Sequence, residues 1–302
     1  MNTAPASVLL LDKPLGLSSN AALQRVRALA GGLKAGHTGS LDPLATGMLP
    51  ICLGEATKLA GEMLSQRKCY RFGLQLGERT DTGDAEGRVI ERGAVPALTR
   101  ATVAAQLEQL QGEQQQVPPM YSALKQSGEP LYRLARRGQS VERAARAITI
   151  ERLELLELHA DRLELRVLCS KGTYVRVLGE DLARSLGSCG RLYSLRREYV
   201  EPFCDQSMHT LEQLEAAGEV RHWPLLSADR ALSHLPALQL TAVALAALVH
   251  GQAVEGVVTR AALWRLYDAG NRFVGLGQSD SGATLRVRRL FSSARQAPGM
   301  PA

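Results

Sequence analysis

The chain has 302 residues, 36 Lys+Arg against 30 Asp+Glu, a net charge of +6, and 45% hydrophobic positions. This composition suits one large globular domain, or a large one with a small one, and excludes disordered and fibrous classes. The longest apolar runs, such as Ala242 to Val249, fall short of the roughly 18–20 residues that a membrane span needs.

The opening MNTAPASVLLLDK carries no basic residue before its short apolar run, which argues against a signal peptide and for a cytoplasmic protein with no membrane partner. Cys52, Cys69, Cys169, Cys189 and Cys204 form no CxxC pair and no Cys/His cluster, so no disulfide and no metal site is expected. The basic residues are 30 Arg and 6 Lys, which favours bidentate contacts to carboxylate or phosphate. An anionic partner fits, and so does an ordinary solvated face.

Ser7–Leu11 reads as a buried strand. Ser18, Ser19 and Asn20 offer N-cap chemistry to an amphipathic helix through Leu23, Val26 and Leu29, which Gly31-Gly32 stops. Residues 31–54 hold six glycines and two prolines and are expected to be a long irregular, functional loop. Strands follow at Cys69–Leu76 and Arg162–Val167, the latter alternating apolar and wet faces as in a largely antiparallel sheet. Thr173–Leu186 places Val175, Leu178, Leu182 and Leu186 on one helical stripe, and Leu192–Val200 is extended. Without a dominant βαβ repeat, the fold class is α+β.

The character of the sequence changes near residue 222. An Ala/Leu-rich helix precedes short strands at Leu263–Tyr267, Arg272–Leu276 and Thr284–Arg289, separated by turn signals at Asp268–Asn271 and Asp280–Gly282. The spacing suggests a small β-barrel, with Arg286, Arg288 and Arg289 crowding its last strand.

Chemistry is sought in AGHTGSLDPLATGMLPICLGEATK, residues 35–58. A phosphate-binding loop would need GxxxxGK[ST], which is absent. A hydrolase triad of Ser40, His37 and Asp42 suffers from its close spacing and from the lack of GxSxG. The third possibility is that Asp42, pinned by Pro43 and flanked by glycines, presents a carboxylate to a substrate; a loop Asp-Pro is otherwise simply a turn former.

LLLDKPLGLSS (9–19), the 35–58 segment, KCYRFGLQLGERTDTGDAEG (68–87), PPMYSALK (118–125), SKGTYVRVLGEDL (170–182) and LRR (195–197) occur in order. Together they resemble the TruB family of tRNA pseudouridine synthases, from about residue 7 to 205, with a weaker resemblance to that family's PUA domain from about 235. The resemblance implies a pseudouridine synthase catalytic domain over 1–232 and a PUA-like RNA-binding barrel over 233–302. It also implies a cofactor-free isomerisation of uridine 55 in the TψC loop of tRNA, by a stand-alone monomer that uses no guide RNA. A noncatalytic RNA-binding protein on the same scaffold is the alternative.

Matched residue by residue, the resemblance makes Asp42 the catalytic aspartate and Arg196, in LRR, its guanidinium partner. Tyr70 would stack on the base, and His37 would fill the gap left by the flipped nucleotide. Asp84, Tyr121 and Lys125 would line the RNA channel, although Asp84 can equally cap a turn and Lys125 can meet only solvent. Lys13 and Pro14 are expected to be structural. Ser194 departs from the residue many relatives carry just before Leu195.

Overall fold

A computed structural model describes residues 6–64, 66–281 and 283–296. The reading of the first five residues, the turn signal at Gly282 and the end of the C-terminal unit beyond residue 296 lie outside the described residues. The chain begins with β1 (Ser7–Lys13), after which Ser18 caps α1 (Ser19–Leu29) by accepting the Ala21 N–H at 3.1 Å. Then come β2 (Ala35–His37), β3 (Ala45–Leu53), α2 (Ala60–Met63), β4 (Lys68–Leu76) and the hairpin of β5 (Glu78–Thr80) and β6 (Val89–Arg92). α3 (Arg100–Gln109) leads to β7 (Gly112–Gln116), a short hairpin of β8 (Lys125–Gln126) and β9 (Glu129–Pro130), and α4 (Leu131–Arg136). β10 (Arg146–Leu158), β11 (Arg162–Cys169), α5 (Val175–Ser185), β12 (Gly190–Val200), α6 (Leu211–Ala217) and β13 (Leu226–Ser227) complete the larger unit.

The main sheet runs β13-β1-β3-β12-β4-β11-β10-β7, with β2 paired to the far end of β3. Its pairings are antiparallel except for β12 against β3, which gives the mixed, largely antiparallel sheet expected. One face is a dry core. Leu9, Leu11, Tyr70, Phe72, Leu74, Leu163, Leu165 and Val167 meet Ala22 and Val26 of α1, Val103 of α3, Leu178 and Leu182 of α5, and Leu214 of α6. The alternation in β11 sends Arg162, Glu164 and Arg166 to the other face, where Arg71 pairs with Glu164 at 3.1 Å and Arg166 with Glu198 at 2.8 Å.

The segment 31–54 differs from expectation, because β2 and β3 take up half of it. β3 lies in the sheet interior and is buried along almost its whole length, so it reads as a continuous apolar run rather than an alternating one. Pro50 is tolerated there for a geometric reason. Its carbonyl accepts the Thr38 N–H at 3.0 Å on the side away from β1, so the missing N–H removes no bond from the β1 ladder. The irregular parts shrink to the turn at 31–34 and the loop at 38–44.

The C-terminal unit comprises β14 (Ala237–Gln239), α7 (Ala242–Val249), β15 (Ala262–Tyr267), β16 (Phe273–Ser279) and β17 (Leu285–Leu290). The expected turn forms after β15: Asp268 accepts the N–H groups of Gly270 and Arg272 at 3.0 and 2.9 Å, with Asn271 at φ 59°. The expected barrel does not. Among the described residues the sheet is open, in the order β14-β15-β16-β17; β14 runs parallel to β15, and β17 gains only an isolated bridge from Leu285 to Val254. Leu276 and Phe291 pack in a second core with Val8, Leu10, Met48 and Cys52, so this unit rests on the opposite face of β1 and β3.

Gly47 marks a close backbone approach in the larger sheet. Its φ is +96°, and an added Cβ would stand 2.2 Å from the carbonyl oxygen of Arg197 on the neighbouring β12. Gly47→Ala is therefore expected to destabilise the fold by about 3 kcal/mol or more, read as a lowered midpoint in urea unfolding. An unchanged midpoint would refute this packing.

Candidate active site

The 38–44 loop is held at its ends before any side-chain chemistry is considered. Thr38 bonds to Pro50, the Ala45 N–H donates to the Asp42 carbonyl at 3.0 Å, and Arg197 Nη2 donates to the Gly39 carbonyl at 3.0 Å. Asp42 projects from this loop into a cleft of about 780 Å³. The cleft walls come from the start of α1, this loop, the β5–β6 connection, residues 121–123, α4 and α5.

Arg176, the second residue of α5, is the centre of the site. Its side chain is only 4% exposed, and each nitrogen has a partner. Nε faces Asp42 Oδ2 at 2.9 Å and Asp84 Oδ2 at 3.7 Å, Nη1 donates to the Thr82 carbonyl at 2.6 Å, and Nη2 donates to the Tyr121 carbonyl at 2.7 Å. A cation in the first turn of a helix opposes the positive end of the helix dipole, so this placement needs anions close by. Asp42 and Asp84 supply them.

The Asp42 side chain keeps 40% of its surface open, but that surface faces the cleft, whose walls displace bulk water. Burial therefore pushes its carboxyl above the ordinary Asp value; the Arg176 charge opposes this, the Asp84 charge adds to it, and the Arg176 hydrogen bond and Lys13 charge oppose it again. Lys13, fully buried in β1, donates to the carbonyls of Pro14 and Leu17 at 2.8 and 2.6 Å, and burial lowers its ammonium to about 8. Its role in local structure matches the expectation.

His37 lines the same cleft. Its Nδ1 is buried without a hydrogen-bond partner, and burial, with the Arg197 charge, lowers its pKa, so the ring is neutral near pH 7. Tyr70 is 7% exposed, within the core beneath the loop; burial raises its hydroxyl pKa and the Arg197 charge lowers it. Asp84 lines the wall and also caps its turn, accepting Thr82 Oγ1 at 2.6 Å and the Glu86 N–H at 3.1 Å. Tyr121 stands on the opposite wall. Lys125 does not line the cleft: it is exposed in the β8–β9 hairpin.

The expected pairing of Arg196 with Asp42 is not what forms. Along β12, Leu195 and Arg197 face the core that contains Tyr70, and the period of two turns Arg196 to the opposite face. Asp12 lies on that face, next to Leu11 of the core, and Arg196 forks onto it at 2.9 and 2.7 Å. Arg176 takes the place assigned to Arg196. Its signal in the sequence is a lone arginine opening an amphipathic helix, inside SKGTYVRVLGEDL.

Tyr174 was also missing from the expected set. Its backbone is fixed by both ends of the Gln116 amide, at 2.8 and 3.2 Å, and burial raises its hydroxyl pKa. Ser194 is half-buried, and its neighbour Tyr193 bonds to Glu164 on the outer face. Among the described residues, no group of three His, Cys, Asp or Glu side chains could hold a metal ion, and no helix is long and apolar enough to cross a membrane.

Residues 27–175 match the TruB family pseudouridylate synthase N-terminal domain, and residues 236–291 match the pseudouridine synthase II TruB C-terminal domain. The chain is 50% identical over 295 residues to tRNA pseudouridine synthase B of Chromohalobacter salexigens, covering 95% of this chain and 94% of that protein. It is likewise 50% identical to tRNA pseudouridine synthase B of Aromatoleum aromaticum, covering 95% and 92%. The chain belongs to the TruB family. Its fold is shared with a Cbf5–Nop10–Gar1 complex chain at a TM-score of 0.73 and 23% identity, covering 94% of this chain and 84% of that one. A chain of an H/ACA ribonucleoprotein bound to substrate RNA gives a TM-score of 0.72 at 21% identity, covering 98% and 88%. This TruB-family fold therefore places Asp42, Arg176 and Asp84 together at the base of one cleft.

The electrostatics predict how Asp42 titrates. Followed by carboxyl NMR, it should protonate above the ordinary Asp range as pH falls, so the ionised form is lost earlier than for a free Asp. Arg176→Met removes the largest opposing charge and should move that titration to still higher pH. A midpoint that stays put or moves down would contradict the pairing.

Proposed function

We propose that this chain isomerises uridine 55 in the TψC loop of tRNA to pseudouridine. The observation that carries the reading is the Asp42 carboxylate held at 2.9 Å from buried Arg176 at the base of an open cleft. The curated relatives named tRNA pseudouridine synthase B support the substrate and the reaction. In the isomerisation the N1–C1′ bond breaks, the uracil turns, and C5 joins C1′; C5 loses a proton and N1 gains one, so atoms balance without a cofactor. Asp42 acts in its ionised form, as nucleophile or as base toward a ribose proton.

The target base enters by flipping, at an unstacking cost of roughly a few kcal/mol offset by contacts in the pocket. Arg176 orients Asp42 and keeps it charged. Tyr70, in the core beneath the loop and outside the cleft lining, stacks on the base once the flipped base displaces the loop above it, and neutral His37 takes up the gap left in the RNA stack, where a flat uncharged ring is suited to stacking. Asp84 and Tyr121 line the path, and Lys125 reaches RNA phosphate from its exposed hairpin. Residues 1–232 form the catalytic unit and 233–302 an accessory RNA-binding unit, whose exposed Arg286 and Arg289 suit phosphate contacts, while Arg288 stands 3.6 Å from Glu62. The enzyme acts as a cytoplasmic monomer without a guide RNA.

Asp42→Asn separates catalysis from binding. With unmodified tRNA transcript and chemical mapping of pseudouridine, the variant should retain tRNA affinity within a few-fold and form no detectable product. Product at the wild-type rate would overturn the assignment of Asp42. A wild-type chain that binds tRNA and modifies nothing would favour a noncatalytic RNA-binding protein.

A further inference from the structure

LLLDKPLGLSS contributes no group to the chemistry above apart from the nearby charge of Lys13, yet its last residues reach the catalytic loop. The two serines at the start of α1 divide their work. Ser18 caps the helix, whereas Ser19, only 4% exposed, turns its hydroxyl away from the helix and onto Leu41. Ser19 Oγ accepts the Leu41 N–H at 2.6 Å and donates to the Leu41 carbonyl at 3.0 Å. On the other side of Asp42, the Pro43 carbonyl accepts the Gly16 N–H at 2.9 Å. Both neighbours of Asp42 are thus tied to one connection, residues 14–19, which Lys13 braces through Pro14 and Leu17.

We infer that Ser19 is a positioning residue for the reaction: its hydroxyl clamps both backbone groups of Leu41 and so fixes where Asp42 stands relative to Arg176 and the substrate. This rests on the functional reading of Asp42. The physical basis is that a buried hydroxyl satisfying an N–H and a C=O of the same residue restrains that residue in translation and in rotation. Methyl replacement leaves both backbone groups without these partners, so the loop must shift to find others. A displacement of about 1 Å at a reacting group can cost on the order of a hundredfold in rate.

The test compares Ser19→Ala and Ser19→Cys with the wild type, using single-turnover pseudouridine formation at saturating tRNA and filter binding. Ser19→Ala should slow the chemical step about 10- to 100-fold with tRNA affinity changed less than threefold. Ser19→Cys keeps a group at this position that can hydrogen-bond, weaker and bulkier than the hydroxyl, and should fall between the two.

A second readout separates positioning from general loss of structure. Asp42 is faced by Arg176 of α5, Lys13 of β1, Asp84 and Glu86 of the β5–β6 connection, Tyr70 of β4 and Tyr174. Loosening it from Arg176 should move the acid limb of the rate profile, and the Asp42 carboxyl titration by NMR, to higher pH. A Ser19→Ala rate within threefold of wild type, an equal loss of affinity and rate, or an unmoved titration would each overturn the clamp. Should Ser19→Ala fail to fold, Ser19→Cys decides by the same criteria. A wild-type chain without synthase activity would refute the functional reading instead, and the NMR titration would still decide the clamp.

Discussion

The burial of one guanidinium organises the cleft of the larger unit. Taking Arg176 out of water is tolerable only if its charge and its donors are all met, because an unpaired buried ion costs several kcal/mol. The partners come from separate stretches of chain: Asp42 from the loop before β3, Thr82 and Asp84 from the β5–β6 connection, and Tyr121 from the segment after β7. Each is irregular backbone with little apolar burial of its own. Their common partner converts independent loops into the walls of one cleft, so a single charge acts as structural cross-link and as electrostatic support for Asp42.

A second arginine performs a related task beneath the loop. Arg197 is fully buried, with Nε donating to the Met48 carbonyl at 2.6 Å and Nη2 to the Gly39 carbonyl. It therefore joins β12 to both ends of the segment that carries Asp42. Its positive charge also bears on the rings around it, keeping His37 neutral together with burial and partly offsetting the effect of burial on Tyr70. Adjacent residues on β12 so receive opposite assignments: Arg197 supports the site from the core face, and Arg196 fastens Asp12 on the other. A two-residue period makes this division automatic, and it explains why a motif containing both arginines does not reveal which one serves the site.

The elements legible in the sequence are those whose burial is one-sided. α1, α5, β4 and β11 each present a single apolar stripe or alternation, and their boundaries fall within a few residues of those read from the pattern. β3 was obscured because a strand buried on both faces has no alternation and carries Gly47 and Pro50, residues that normally mark turns. The open C-terminal sheet resembles a barrel in sequence because strand spacing is the same whether or not the edge strands meet. Asp42 stood out through its rigid Asp-Pro context and the family strings. Arg176 did not, since its role depends on three distant segments converging on it, and neither helical periodicity nor local charge reports such convergence.

The arrangement of two carboxylates about Arg176 also divides their roles. Asp84 is 3% exposed, accepts Thr82 Oγ1 and the Glu86 N–H through Oδ1, and turns Oδ2 toward Arg176. Its oxygens are committed to the wall. Asp42 meets Arg176 at 2.9 Å through Oδ2 and opens 40% of its side chain to the cleft. The closer contact of Arg176 with Asp42, 2.9 Å against 3.7 Å, directs the stronger charge-assisted interaction to the carboxylate that faces the open cleft. Asp84, with 3% of its surface exposed, offers the cleft far less of its carboxylate than Asp42 does. Reactivity at this site follows from accessibility combined with a shared cation, and the loop that grants Asp42 its accessibility is the one that Ser19, Gly16 and Arg197 hold in place.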